Sequence, residues 1–264
     1  MNDSHMNDSY VNDRDEGGME ASRAVDDAGR VAELSARLAA VHDRIGSAMD
    51  AAGRAGEPPT LIVVTKFHPA GDIRRLAGLG VLDVGENRDQ EASAKAAELA
   101  EIGLRWHFVG QLQSKKAKSV VRYAHAVHSV DRLQLVDSLA RAVGREQETS
   151  GRGPLDCFIQ LSLDDDAEAH RGGASPAEVP VLADQLAAAD GLVLAGVMAV
   201  APLGARPEDS FEKLAVISAR LASDHPSATA ISAGMSQDLE AAIRFGATHL
   251  RIGSDILGSR PAVG

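Results

Sequence analysis

Cysteine is nearly missing: Cys157 is the single one in 264 residues. No disulfide can close within the chain, and a reducing compartment, the cytoplasm, is the expected location. No apolar run approaches the ~18 residues that suggest a membrane span. The N-terminus shows no basic segment followed by an apolar one, so no secretory signal is expected. Cations are also scarce, with 27 Lys and Arg against 38 Asp and Glu and a net charge of −11. So acidic a chain lacks the surplus of cations that displaces counterions from nucleic acid, and neither nucleic acid nor membrane is an expected partner. Lys115, Lys116, Lys118 and Arg122 make one local basic cluster, which reads as the solvated face of a helix. Two further signatures are missing: a P-loop and a Gly-x-Ser-x-Gly nucleophile turn.

What remains is the balance of an ordinary globular protein, 44% apolar and 25% charged. Residues 1–26 read as a disordered acidic tail. They are rich in Asn, Asp, Ser and Gly, and Met-Asn-Asp-Ser occurs twice, at Met1 and Met6. Residues 27–264 read as one domain. Leu34, Leu38, Val41 and Ile45 recur at helical spacing, and Gly53 with Pro58-Pro59 ends that helix. Leu61-Ile62-Val63-Val64-Thr65 is then apolar on both faces, as a strand in a covered parallel sheet must be.

The alternation repeats. Further strands are expected at Val81–Val84, Arg105–Val109, Ala124–His128, Leu155–Leu163, Gly191–Val197, Ala228–Ser232 and His249–Ile252. Helical patterns separate them, including stretches that begin at Ser114 and Ser236. Eight strands joined by helices imply right-handed crossovers and a parallel sheet. The expected fold class is α/β, a single (β/α)8 TIM barrel with an extra N-terminal helix. An open doubly wound sheet is the alternative, but its glycine fingerprint does not follow the first strand.

Reacting groups in such a barrel sit where strands end. Lys66 lies there, after a wholly apolar strand. Two readings stand for it: a desolvated amine able to attack an aldehyde, or a lysine snorkelling to solvent. Near the other end, Ser232-Ala233-Gly234-Met235-Ser236 and Arg251-Ile252-Gly253-Ser254 bring hydroxyls and glycines into two successive late loops. Late loops of barrels commonly cup a phosphate. Capping and turn formation explain each loop singly, but not the coincidence of the two. Asp238 and Glu240 would weaken an anion site if they faced it.

Seven segments then fall in order: Val64-Thr65-Lys66, Gly85-Glu86-Asn87, Trp106 through Ser114, His128-Ser129-Val130-Asp131, Gly196-Val197-Met198-Ala199, Gly234 through Ala242, and Arg251-Ile252-Gly253-Ser254. Together they closely resemble the pyridoxal phosphate homeostasis proteins, a family that itself resembles the N-terminal barrel of alanine racemase. The similarity runs from about Val31 to Arg260. It implies that Lys66 forms a Schiff base with pyridoxal 5′-phosphate, and that Ser236, Gly253 and Ser254 bind its phosphate with Ser232 as a helper. It further implies that Arg251 approaches the pyridine nitrogen, while Asn87 and Met235 line the pocket. Gly110 and Gln113 match a family loop and read as structural.

The implied role is a non-catalytic carrier in intracellular cofactor homeostasis, a monomer whose recipients are apo-enzymes that use pyridoxal phosphate. A racemase or related enzyme is the alternative. A cation beside the ring nitrogen makes the ring a weaker electron sink. The racemase's second domain and its tyrosine are also expected to be absent, since the chain stops at Gly264. Of the two tyrosines, Tyr10 lies in the tail and Tyr123 beside the fourth strand. Where family members often carry lysine, this chain has His68 and Arg171. No metal site is expected. His125 and His128 would point to opposite faces of a strand, Asp164, Asp165, Asp166 and Glu168 read as an acidic surface loop, and Cys157 as a small buried hydrophobe.

Overall fold

The apolar run that starts at Leu61 shows how the fold is assembled. In the computed structural model, which describes residues 13–163 and 172–259 with side chains from residue 26 onward, it forms β1 (Thr60–Val64). This strand pairs in parallel with β2 (Asp83–Glu86) on one side and β8 (His249–Ile252) on the other. Between these lie β3 (Arg105–Phe108), β4 (Ala124–Val130), β5 (Leu155–Gln160), β6 (Leu192–Met198) and β7 (Ala230–Ser232). All eight follow in sequence order around a closed barrel, so the TIM-barrel expectation holds.

The crossovers carry α2 (Ala70–Gly78), α3 (Asp89–Glu98), α4 (Ala117–Val120), α5 (Leu133–Ser150), α6 (Val179–Ala188), α7 (Pro207–Asp224) and α8 (Leu239–Arg244). The short α9 (Ser254–Leu257) follows the last strand. In front of the barrel runs α1 (Asp13–Ala51). Its expected apolar face is realised, with Leu34, Leu38, Val41 and Ile45 all buried. Its backbone is already helical over the second half of the segment read as a tail. Residues 1–12 lie outside the described residues, as do the acidic loop at 164–168 and Arg171.

Some boundaries differ from the sequence pattern. The second strand begins at Asp83, two residues later than the apolar pair Val81-Leu82 suggests, because the barrel pairs Asp83 with Arg105 and Glu86 with Phe108. The helix expected from Ser114 opens as a 3-10 turn (Ser114–Lys116). The fifth strand stops at Gln160, beyond which Leu161 makes only an isolated bridge to Ala174.

Alternation along β5 divides the molecule into an outside and an inside. Cys157 and Ile159 join the large core between strands and helices, whereas Phe158 joins a small cluster with Ala126 and Met198. An eight-stranded barrel has room only for side chains in its interior. Here much of that filling is polar, and it leads to the site described below.

Close approach of two strand ends depends on Gly110. A Cβ there would collide with the carbonyl and Cα of Asn87. Gly144, inside α5, would have nothing within 4 Å of an added methyl group. Gly110→Ala is therefore expected to lower stability by about 1–3 kcal/mol, while Gly144→Ala raises it by about 0.5–1 kcal/mol. Urea unfolding midpoints measured on both variants check the pair.

Candidate functional site

The ends of six strands surround a cavity of about 760 Å³, bordered by Lys66 after β1, Asn87 after β2 and Gly110 after β3. The loop from Val200 to Ala205 follows β6, Met235, Ser236 and Asp238 follow β7, and Gly253, Ser254 and Asp255 follow β8. Arg251, within β8, also reaches it. Seven of the eight residues anticipated from the sequence thus border one cavity. The eighth, Ser232, does not.

Lys66 is fixed by what lies around it. The next residue, Phe67, adopts a left-handed φ of 69° without being glycine, a conformation that persists only where its surroundings enforce it. Its amide donates to Glu91 Oε1 at 2.6 Å, and the Arg88 guanidinium sits 4.9 Å over its ring. Beneath this turn Lys95 is buried and donates to the Thr65 carbonyl (2.9 Å), Glu86 Oε1 (2.7 Å) and Glu91 Oε1 (2.6 Å). Thr65 Oγ1 donates to the same Glu86 oxygen at 2.7 Å. Burial raises the Glu86 carboxyl above its ordinary value despite those hydrogen bonds. The ammonium of Lys95 is used up in this cluster, whereas Lys66 makes no hydrogen bond or ion pair among the described residues. Of the two lysines, Lys66 is the one able to act on a ligand.

The opposite wall rests on Arg251, whose guanidinium is buried. Desolvation lowers its pKa to about 10, with Asp238 acting in the other direction. One nitrogen donates to the Ala199 carbonyl at 2.9 Å, another to Ser232 Oγ at 2.6 Å. Ser232 lies within 2.9 Å of His128 Nδ1, His128 Nε2 lies 3.0 Å from His107 Nδ1, and His107 Nε2 lies 2.9 Å from Asp83 Oδ1. Arg105 closes the far end on Asp83 at 2.7 Å. Burial favours the neutral form of Asp83, but the hydrogen bonds from Arg105 and His107 outweigh it and hold the carboxyl well below the usual carboxylate range.

An ionised Asp83 can only accept, which orders the whole chain. With both rings neutral, one assignment satisfies every group. His107 donates to Asp83, His128 to His107, Ser232 to His128, and Arg251 to Ser232. Phe158 stacks on His128 with ring centroids 4.2 Å apart. Ser232, expected as a helper at a phosphate, stands behind Arg251, with its hydroxyl fully buried between His128 and Arg251.

At the third wall, Ser236 Oγ and Ser254 Oγ stand 3.3 Å apart. Gly253 lets β8 pass close to β1, since a Cβ would lie 3.0 Å from the Val64 carbonyl oxygen. The acids that threatened an anion site are engaged elsewhere. Asp238 accepts from the Met235 amide at 2.6 Å, Asp255 from Arg44 at 2.7 Å, and Glu240 from Arg44 at 2.8 Å. Asn87 Oδ1 and His68 Nδ1 are buried without a hydrogen-bond partner, and both residues border the cavity. Tyr123 is turned to Asp89 at 3.5 Å and lies off the cavity. Among the described residues no cluster of three metal-binding side chains occurs, and no helix is long and apolar enough to cross a membrane.

A sequence profile of the alanine racemase N-terminal domain matches residues 37–261. The pyridoxal phosphate homeostasis protein of Corynebacterium glutamicum is 44% identical over 220 residues, covering 83% of this chain and 98% of that one. That of Mycobacterium leprae is 40% identical over 247 residues, covering 87% and 93%. The chain belongs to the pyridoxal phosphate homeostasis proteins. Among solved structures, PipY of Synechococcus elongatus with PLP bound superposes at a TM-score of 0.72 with 33% identity, covering 86% of this chain and all of PipY.

Several residues that shape this homeostasis-family site escape sequence reading. Glu91 and Lys95 lie on α3, and Asp83, His107 and His128 line the barrel interior, with no role that local spacing reveals. One signal is available: His107 and His128 occupy strand positions that an apolar barrel filling would give to Val or Ile.

The buried rings give the fold an acid limit. Burial pushes His128 well below its ordinary value of 6.5 and His249 down to about 4. The unfolded chain takes up these protons near 6.5, while the folded chain resists. Stability is therefore whole above pH 6.5 and declines as pH falls toward 4. Thermal unfolding midpoints between pH 7.5 and 4.5 are expected to drop steadily below about 6.5, and a flat profile would contradict neutral buried rings.

Proposed function

We propose that this protein binds pyridoxal 5′-phosphate in the cavity, holds it as a Schiff base on Lys66, and serves as a cytoplasmic, monomeric carrier in cofactor homeostasis and delivery to apo-enzymes. One observation carries the reading: an unpaired lysine amine, a buried guanidinium and a pair of hydroxyls converge on a single cavity. Its volume falls in the range of about 300–1,000 Å³ usual for small-molecule sites. The PLP-bound relative of the same fold supports it.

The residues present fit the cofactor's groups. Lys66 supplies the amine for the aldehyde, Ser236 and Ser254 with the glycine at 253 suit a phosphate, and Arg251 suits the ring nitrogen. Asn87 offers an unsatisfied carbonyl oxygen, and Met235 an apolar edge at the rim. Once bound, the cofactor would supply an electron-accepting ring. Arg251 tempers that property because a fixed cation discourages protonation of the nitrogen. The carrier role draws on the relatives, which are pyridoxal phosphate homeostasis proteins, since alanine racemase tolerates the same cation. A racemase-type reading has one observation in its favour: His68, with an unpartnered Nδ1 at the cavity wall, is a candidate base.

Absorption spectra of the purified protein with added pyridoxal phosphate decide the first point. Wild type is expected to gain a visible band near ~420 nm that borohydride bleaches with covalent retention of the cofactor, and Lys66→Ala should lose that band. A wild type that takes up no cofactor would overturn the reading. For the second point, α-proton exchange of alanine in deuterated water should stay at background, and rapid exchange would favour the racemase.

A further inference from the structure

α1 lies outside the barrel, yet one of its side chains reaches both loops that carry the cavity's hydroxyls. Arg44 Nη1 donates to Asp255 Oδ2 at 2.7 Å. Nη2 donates to the Ser236 carbonyl at 3.0 Å and to Glu240 Oε1 at 2.8 Å, and Nε to the same Glu240 oxygen at 3.0 Å. A single guanidinium thus joins the loop after β7 to the first turn of α9. The hydroxyls of Ser236 and Ser254 are either on a tethered residue or next to one.

The helix that supplies Arg44 is itself well anchored. Leu38, Val41 and Ile45 are buried around it. Earlier on the same helix, Arg30 holds Asp72 at 2.8 Å and the Leu257 carbonyl, at the far end of α9, at 3.0 Å. Two arginines of α1 therefore grip α9 from both ends.

Charge gives the grip a purpose. Asp255 borders the cavity, and Glu240 stands one turn from Ser236. Left alone, these two carboxylates would repel a dianion bound at the hydroxyl pair. We infer that Arg44 is a positioning residue for the phosphate end of the ligand, holding the two loops at their spacing and offsetting part of the charge of the two carboxylates beside them. This rests on the cofactor reading above. Arg44 does not itself line the cavity, acting from behind Ser236 and Asp255, and its side chain is 37% exposed. Exposed ion pairs contribute little to folding, so its effect should appear in anion affinity and not in stability.

The test compares pyridoxal 5′-phosphate with pyridoxal, which carries the same aldehyde and ring but no phosphate, on wild type, Arg44→Gln, Arg44→Lys and the double variant Arg44→Gln/Asp255→Asn. Arg44→Gln is expected to weaken pyridoxal phosphate binding about tenfold or more, while pyridoxal affinity and the unfolding midpoint stay near wild type. Inorganic phosphate should compete correspondingly less well against it. Arg44→Lys should recover part of the loss by restoring charge without the planar fork. The double variant should recover part by removing an uncompensated carboxylate. Equal losses for both ligands, or no loss for either, would overturn the inference while leaving the cofactor site in place. A wild type that binds pyridoxal phosphate no better than pyridoxal would instead remove the phosphate site, and the inference with it.

Discussion

A guanidinium buried in the wall of a barrel must have its protons accepted, and the interior of this molecule is arranged around meeting that need for Arg251. An ion stripped of water is costly unless hydrogen bonds replace the lost hydration. The Ala199 carbonyl meets part of the need at the end of β6, and Ser232 meets part from β7. Ser232 in turn leans on His128 of β4, then His107 of β3, then Asp83 of β2. Five strands are thereby tied by side chains as well as by backbone ladders. What reaches the cavity is a cation whose direction is set from behind.

The lysine wall works by a different device. There the ions are close together. Lys95 bridges Glu86 and Glu91 under the Lys66 turn, and Glu91 in turn holds the amide of Phe67 in its left-handed conformation. The cluster spends the charge of one lysine on structure and leaves the neighbouring lysine uncommitted. Gly110 permits the third strand end to press against Asn87, which keeps this wall continuous with the next. Walls braced in this way need little further ordering when a ligand arrives.

The barrel is legible because short strand-like segments alternate with helical patterns between turn signals, and such segments number eight. Pattern reading fails where burial and polarity coincide. The pattern starts β2 too early because Val81 and Leu82 look more like a strand than Asp83 and Glu86, whose partners lie elsewhere in the chain. Lys66, Arg251, Ser236 and Ser254 can be singled out because they sit beside strand ends. The groups behind them cannot. Ser232 and His128 are 104 residues apart, and Arg44 and Glu240 are 196 apart. Nothing in local spacing records such a meeting, and Arg44 in particular looks like any polar residue on the outer side of an amphipathic helix.

The hydrogen-bonded line from Arg251 to Asp83 has a direction, and direction makes it indivisible. Arg251 only donates, Asp83 only accepts, and each of the three groups between them accepts from one side and donates to the other, so none of those three can be replaced by an apolar side chain without stranding two neighbours at once. Turning one ring over would require turning them all. Over generations of sequence drift these five positions are thus bound to behave as a single inherited character, kept whole or exchanged whole, while the apolar shell outside the strands, where one methyl can stand in for another, is free to wander residue by residue.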